Sequence, residues 1–281
     1  MKNIFLCSIL IMTSTYAFGQ KSLDYPFKVE KSGAGNQSIL LIPGFASSGE
    51  VWDATVKTYK ENYTCYTLTM AGFAGVEPSE NKTFDNWKNR IVDFIKEKNI
   101  ENPIIIGHSM GGGLAMAIAA DYPKLLKKIV IVDALPCLAA LSNPSFEHQE
   151  NVDCSASIEQ ITAMSEDQFY QMQKNTIPQL TTNQEMVKTI VEWSVKSDRK
   201  TFAEMYCYFS NTDLREKIEN IQCPTLILLE SYFKNFKPAI EKQYKHLKTA
   251  NLEYANKGLH FIMYDDKEWY FEQLSNFIEN N

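Results

Sequence analysis

The sequence predicts an α/β fold, a mostly parallel sheet with helices on both faces and a helical cap inserted before its last two strands. Three observations lead there. Short apolar, β-branched runs alternate with segments of helical periodicity along most of the chain, the pattern of strands joined by crossover helices. Glycine-rich turns follow several of those runs, at the strand ends where a parallel sheet places its ligand sites. One long stretch, 134–222, breaks the alternation with helical sequence and no clear strand. A segment of that length between two strands reads as a structured insertion, not a loop.

The first nineteen residues stand apart. Met1-Lys2-Asn3 supplies a short positive region, residues 4–12 an apolar core, and Ala17-Phe18-Gly19 the small-x-small pattern of a cleavage site before Gln20. The reading is a signal peptide over 1–19 and an exported protein, periplasmic or secreted. Its apolar run is shorter than a bilayer span, so no stable membrane insertion is expected. About 260 residues remain, enough for one large α/β domain.

Taken in order, residues 27–31 form the first expected strand, closed by Ser32-Gly33-Ala34-Gly35, and 38–42 the second, stopped by Pro43-Gly44. Val51, Trp52 and Val56 mark a helix over 51–60. Residues 63–69 alternate as a strand that ends in Ala71-Gly72-Phe73-Ala74-Gly75. Trp87, Ile91, Phe94 and Ile95 lie on one face of a helix over 87–98. Ile104-Ile105-Ile106 is a buried strand, the apolar run 114–120 a buried helix, and 128–132 a strand ending at Asp133. After the insertion come a strand at 225–229, a helix at 238–247, a last strand at 251–254 and a closing helix at 269–278. The domain plan is therefore a core of 20–133 and 223–281 with a cap of 134–222. Within the cap, 158–174 and 185–196 read as helices. Its Met164, Met172, Met186 and Met205, with neighbouring aromatics, serve either an acyl pocket or the cap's own packing.

Composition narrows the classes of partner. Hydrophobic residues make up 44%, mean hydropathy is −0.28 and net charge is −6. Mild acidity gives no reason to expect nucleic acid or an anionic membrane as partner. The chain has six cysteines, and five remain without Cys7. That odd number allows at most two bridges. Cys65 is expected as a small buried hydrophobe, while Cys137 with Cys154, and Cys207 with Cys223, would each close a short loop. No cysteine or histidine has metal-ligand spacing, and no phosphate-cradling loop or nucleotide fingerprint is visible, so neither metal nor cofactor is expected. Oligomeric state is not readable.

The chemistry concentrates in Gly107-His108-Ser109-Met110-Gly111-Gly112-Gly113, set between the Ile104 strand and the Leu114 helix. Gly-x-Ser-x-Gly in that context is a nucleophile elbow. A serine on so tight a turn takes a strained backbone, and flanking glycines let strand and helix approach. The hydroxyl is lifted above the sheet edge, at a helix N-terminus whose free N–H groups favour developing negative charge.

Five motifs, Leu41-Ile42-Pro43-Gly44-Phe45, Ala71-Gly72-Phe73-Ala74-Gly75, Gly107-His108-Ser109-Met110-Gly111-Gly112, Ile131-Val132-Asp133-Ala134 and Gly258-Leu259-His260-Phe261, follow one another in the order and spacing of the α/β-hydrolase superfamily. Over 27–278 the chain resembles a serine-nucleophile, esterase- or lipase-like member with a helical cap. The resemblance implies an eight-stranded type of sheet and a Ser–His–acid triad. Ser109 is then the nucleophile. Of four histidines, His260 follows the last strand in the superfamily's Ser…acid…His order and is the expected base. His108 is expected to be structural, His148 lies in the cap, and His246 sits on a charged helix face. The usual acid position, after the 225–229 strand, holds no aspartate and one glutamate, Glu230. Some members carry the acid after the elbow's neighbouring strand, here Asp133, which is preferred over Glu230. Phe45 and Met110 backbone N–H groups are the expected oxyanion hole. A serine nucleophile implies acyl transfer, so the expected partner is a small-molecule acyl substrate and the expected activity hydrolysis of carboxylic esters, thioesters or lactones of small to medium apolar acyl groups. A peptidase or amidase of the same fold, and a non-catalytic ligand-binding protein on this scaffold, are the alternatives.

Overall fold

In the computed structural model, which describes residues 25–279, seven strands form one sheet: β1 (Phe27–Ser32), β2 (Gln37–Ile42), β3 (Tyr63–Met70), β4 (Ile104–His108), β5 (Lys128–Val132), β6 (Thr225–Leu229) and β7 (Ala250–Tyr254). Their spatial order is β1, β3, β2, β4, β5, β6, β7, and only the edge strand β1 runs antiparallel to its neighbour. The expected signal peptide and Cys7 lie outside the described residues. Where the resemblance implies an eight-stranded type of sheet, the described residues hold seven strands.

Strand periodicity sorts the core into two layers. Leu40, Ile42, Ile105, Ile129, Ile131, Ile227 and Leu229 face one way, and Ile39, Leu41, Ile104, Ile106, Val130, Val132, Leu226 and Leu228 the other. Being buried on both faces is what a parallel sheet demands, and it explains why β4, β5 and β6 read as continuous apolar runs. Helices α2 (Phe84–Glu97), α3 (Met110–Asp121) and α8 (Lys237–Tyr244) cover the first face through Trp87, Leu114 and Ile240. Helices α1 (Asp53–Tyr59) and α10 (Lys267–Glu279) cover the second through Tyr59, Tyr270, Leu274 and Ile278.

Boundaries differ from expectation where a cap intervenes. Thr83 accepts the Asn86 amide and starts α2 three residues early, and Ser48 caps a 3-10 turn, Gly49–Trp52, that precedes α1.

The segment 134–222 contains α4 (Ser155–Thr162), α5 (Glu166–Thr176), α6 (Gln184–Val195) and α7 (Arg199–Ser210), with no strand among its residues. The single helix expected over 158–174 is two. Ser165 and Gln168 exchange side-chain and backbone hydrogen bonds of 3.1 and 2.8 Å, a capping box that restarts the chain as α5. The expected cysteine pairs also change. Cys154, at the start of α4, bonds Cys207 of α7, 53 residues away with Cα atoms 5.8 Å apart, and Cys65, Cys137 and Cys223 are free and buried. Pairing by short loops missed the fact that α4 lies against α7, and only side-by-side packing brings two Cα atoms within bridging range.

Candidate active site

The elbow is built by close approach. Between β4 and α3, Ser109 has φ +52° and ψ −120°, a region L side chains rarely occupy. Its N–H donates to the Val132 carbonyl (2.8 Å) and its carbonyl accepts from the Gly113 N–H (3.0 Å), so neighbouring elements hold the strain in place. A Cβ on Gly107 would lie 2.2 Å from the Gly111 carbonyl oxygen, and one on Gly111 would lie 2.3 Å from that of Ile42. Glycine at both positions is therefore what lets α3 pack onto β4 and onto the end of β2.

That packing sets the turn after β2 beside the serine. Among the described residues, the N–H groups of Phe45 in this turn and of Met110 at the start of α3 have no acceptor. The Phe45 ring meanwhile packs edge-on against Phe73, Phe202 and Tyr206, with centroids 5.2, 4.5 and 5.6 Å away.

Asp133 follows β5 with φ +48° and its N–H donates to the Leu228 carbonyl (2.7 Å). Its carboxylate is 1% exposed. One oxygen, Oδ1, accepts the Glu230 backbone N–H at 2.7 Å, and the other, Oδ2, accepts from His260 Nδ1 at 2.6 Å. The imidazole is thereby fixed as the Nδ1–H tautomer, leaving Nε2 with a lone pair. Burial works against a charge on His260, but the Asp133 hydrogen bond and charge, with Glu230 adding to them, hold its pKa above the ordinary histidine value.

Glu230, the other candidate acid, makes no side-chain hydrogen bond to His260; its carboxyl lines the cavity described below. Burial first, then the negative charges of Asp133 and Asp265, push it up to about 7 against the pull of His260. The two acids sit on adjacent strand ends with different partners.

Ser109, His260, Asp133, Glu230 and Phe45 line one cavity of about 900 Å³, walled on the far side by α4, α5, α6 and α7. No hydrogen bond joins Ser109 to His260; such contacts are often long until substrate tightens them. Met172 is the one of the four expected cap methionines on this wall, and Met205 is instead in the core. His148 bonds the Asn211 carbonyl (2.9 Å) and His246 lies 3.5 Å from Glu216, neither on the cavity.

His108, expected to be structural, donates Nε2–H to the His260 carbonyl at 3.0 Å, and its ring lies tilted against that of His260 with centroids 4.6 Å apart. Burial, then the charge of His260, keeps its pKa well below the usual range, so it stays neutral and serves as a fixed donor. Two site residues, Asp265 and Asp266, escaped the sequence reading. Asp265 ties the His260 loop to the insertion, accepting from Leu259 N–H (2.8 Å), Thr181 Oγ1 (2.6 Å) and Asn183 N–H (3.1 Å). Asp266 accepts the N–H groups of Asn256 and Lys257 at 3.0 and 3.2 Å. The adjacent aspartates just ahead of the closing helix were the available signal.

Comparison with known proteins agrees with the fold. A family model described as the alpha/beta hydrolase fold matches residues 37–271. A Haemophilus influenzae protein named for an inferred esterase/lipase activity is 21% identical, the match covering 92% of this chain and 89% of that one. A human monoacylglycerol lipase is 24% identical over 68% of this chain and 60% of its own length. Among solved structures, an esterase from Exiguobacterium antarcticum superposes with a TM-score of 0.74 at 16% identity, over 90% of this chain and 96% of that one. An enol-lactonase from Burkholderia xenovorans LB400 gives 0.75 at 13%, with the same coverage. At such identities the structural likeness speaks for the fold.

Proposed function

The chain belongs to the alpha/beta hydrolase fold family, and from that membership we propose that it is an exported serine hydrolase that cleaves carboxylic esters of small to medium apolar acyl groups through an acyl-enzyme. One observation carries the reading: a buried Asp133 carboxylate 2.6 Å from His260 Nδ1, facing the same cavity as a serine on a positive-φ elbow. In this reading His260 Nε2 removes the Ser109 hydroxyl proton as Oγ attacks the ester carbonyl. The oxyanion meets the N–H groups of Phe45 and Met110, each such donor lowering the barrier by about 3 kcal/mol. The imidazolium then protonates the leaving alcohol; water, deprotonated by the same histidine, attacks the acyl carbonyl, and the acid departs as the imidazolium returns the proton to Ser109 Oγ. Asp133 keeps the ring in the required tautomer and balances its transient charge, while His108 and Asp265 hold the loop that carries it.

The segment 134–222 is the cap of this enzyme, its helices forming the acyl-binding wall. Export is supported by the leader-like residues 1–19 and by the Cys154–Cys207 bridge, since disulfides persist in oxidising compartments.

A p-nitrophenyl ester series from acetate to octanoate tests the proposal. Turnover is expected to fall about 10⁶-fold in Ser109→Ala. Hydrolysis that survives this substitution undiminished would sink it.

A further inference from the structure

The cavity has a one-sided charge. Among the described residues lining it there is no lysine or arginine, whereas Asp133 and Glu230 both do so. Asp133 is committed to His260 and the Glu230 amide. The Glu230 carboxyl has no side-chain donor and stands at the end of β6, on the core wall of the cavity. The chain then turns into a 3-10 helix, Ser231–Phe236, that brings the rings of Tyr232 and Phe233 to the same wall. Tyr232 is 54% exposed, with its ring tilted against that of Phe236 at 5.4 Å, which places Tyr232 where the cavity meets solvent. A carboxyl that shares a cavity wall with two aromatic side chains and no lysine or arginine is an environment in which an ammonium group is attracted by charge and by ring quadrupole.

Resting on the ester-hydrolase reading, we propose that this cavity sorts esters by charge, favouring those whose acyl or alcohol part carries an ammonium group received by Glu230, Tyr232 and Phe233. Neutral isosteres bind less well, and esters bearing a second carboxylate are repelled by the uncompensated acid. The groups facing Glu230 are Asp133 at the end of β5, His260, and Asp265 of α9 (Ile262–Asp265). Asp133 and Asp265 favour its protonated form and His260 its ionised form, which with burial puts its titration at about 7. Charge selectivity is thus a property of the ionised carboxylate: present above neutrality and lost as pH falls.

The test compares butyrylcholine with 3,3-dimethylbutyl butyrate, which replaces the quaternary nitrogen by carbon. The quantity read is the ratio of their kcat/KM values. Both esters use the same base, so His260 titration cancels in the ratio. In the wild-type protein the ratio is expected to reach about tenfold at pH 8.5 and to fall toward unity by pH 6. In Glu230→Gln it is expected to lie near unity throughout. A ratio that stays flat across pH in the wild type, or that Glu230→Gln leaves unchanged, overturns the inference; the wild-type series decides even if the variant folds poorly. Absence of Ser109-dependent turnover of either ester overturns the hydrolase reading as well, whereas turnover without charge preference overturns this inference alone.

Discussion

The strand ends and the helical insertion wall the same cavity, yet they are held by different means. At the strand ends the backbones of Ser109 and Asp133 and the Asp133 carboxylate are each fixed by neighbouring elements. Ser109 and Asp133 sit at φ +52° and +48°, their amides are bonded to neighbouring strands, and the Asp133 carboxylate spends one oxygen on Glu230 and the other on His260. In the insertion, α4 has no fully buried residue, and the bridge from Cys154 to Cys207 fastens it to α7. Under the proposed function the contrast is a division of labour. Chemistry that tolerates little misplacement stands on the over-determined side. Walls that must accommodate a substrate stand on the side with fewer constraints.

The largest effect that could break this contrast is at the acid. Asp133→Asn leaves the shape but offers His260 an amide that favours the wrong tautomer, so kcat for p-nitrophenyl butyrate should fall about 10⁴-fold. Glu230→Gln should cost at least a hundredfold less, because Glu230 makes no hydrogen bond to the ring. Equal losses in the two variants would erase the distinction between the residue that orients the base and the one that faces the cavity.

Next in size is the bridge. Replacing Cys154 and Cys207 together by serine removes a cross-link over 53 residues, worth about 4 kcal/mol, so the thermal midpoint should drop by about ten degrees. If α4 serves the wall and not the chemistry, KM for longer acyl chains rises while kcat for acetate esters changes little. A kcat loss matching that of Asp133→Asn would place the insertion inside the catalytic unit.

The smallest effect sharpens the electrostatics of the core side. His260 must be neutral to act as base, and Asp133 and Glu230 raise its pKa. The kcat/KM profile should therefore rise with pH through an apparent midpoint above the ordinary histidine value of about 6.5. Removing the Asp133 charge should move that midpoint down. A midpoint below 6 in the wild-type protein would mean that burial, the opposing influence, prevails.

The two regions also differed in how readily the sequence disclosed them. Strands at Ile104, Lys128 and Thr225 are legible because burial on both faces leaves mostly β-branched and aliphatic residues. Ser109, Asp133 and Glu230 could be picked out because each directly follows a strand, and His260 because it lies on the loop after the last one. Which acid meets the imidazole is a matter of two strand ends side by side, and no local pattern encodes it. The insertion was read least well. A helix over 158–174 hid the capping box at Ser165, and the cysteine pairs were drawn from chain proximity when the bridge depends on α4 lying along α7. His108 was placed by its neighbours in sequence, although its bond runs to a carbonyl 152 residues away.

The central claim is that Ser109 and His260 work as one unit across the cavity. A fluorophosphonate probe followed by peptide mass spectrometry addresses it directly, since the phosphonyl group is captured only by a hydroxyl whose proton a base removes. The account predicts one adduct, on the peptide containing Ser109, and its loss in His260→Ala protein that still unfolds cooperatively. An adduct elsewhere, or equal labelling of Ser109 without the histidine, would contradict it.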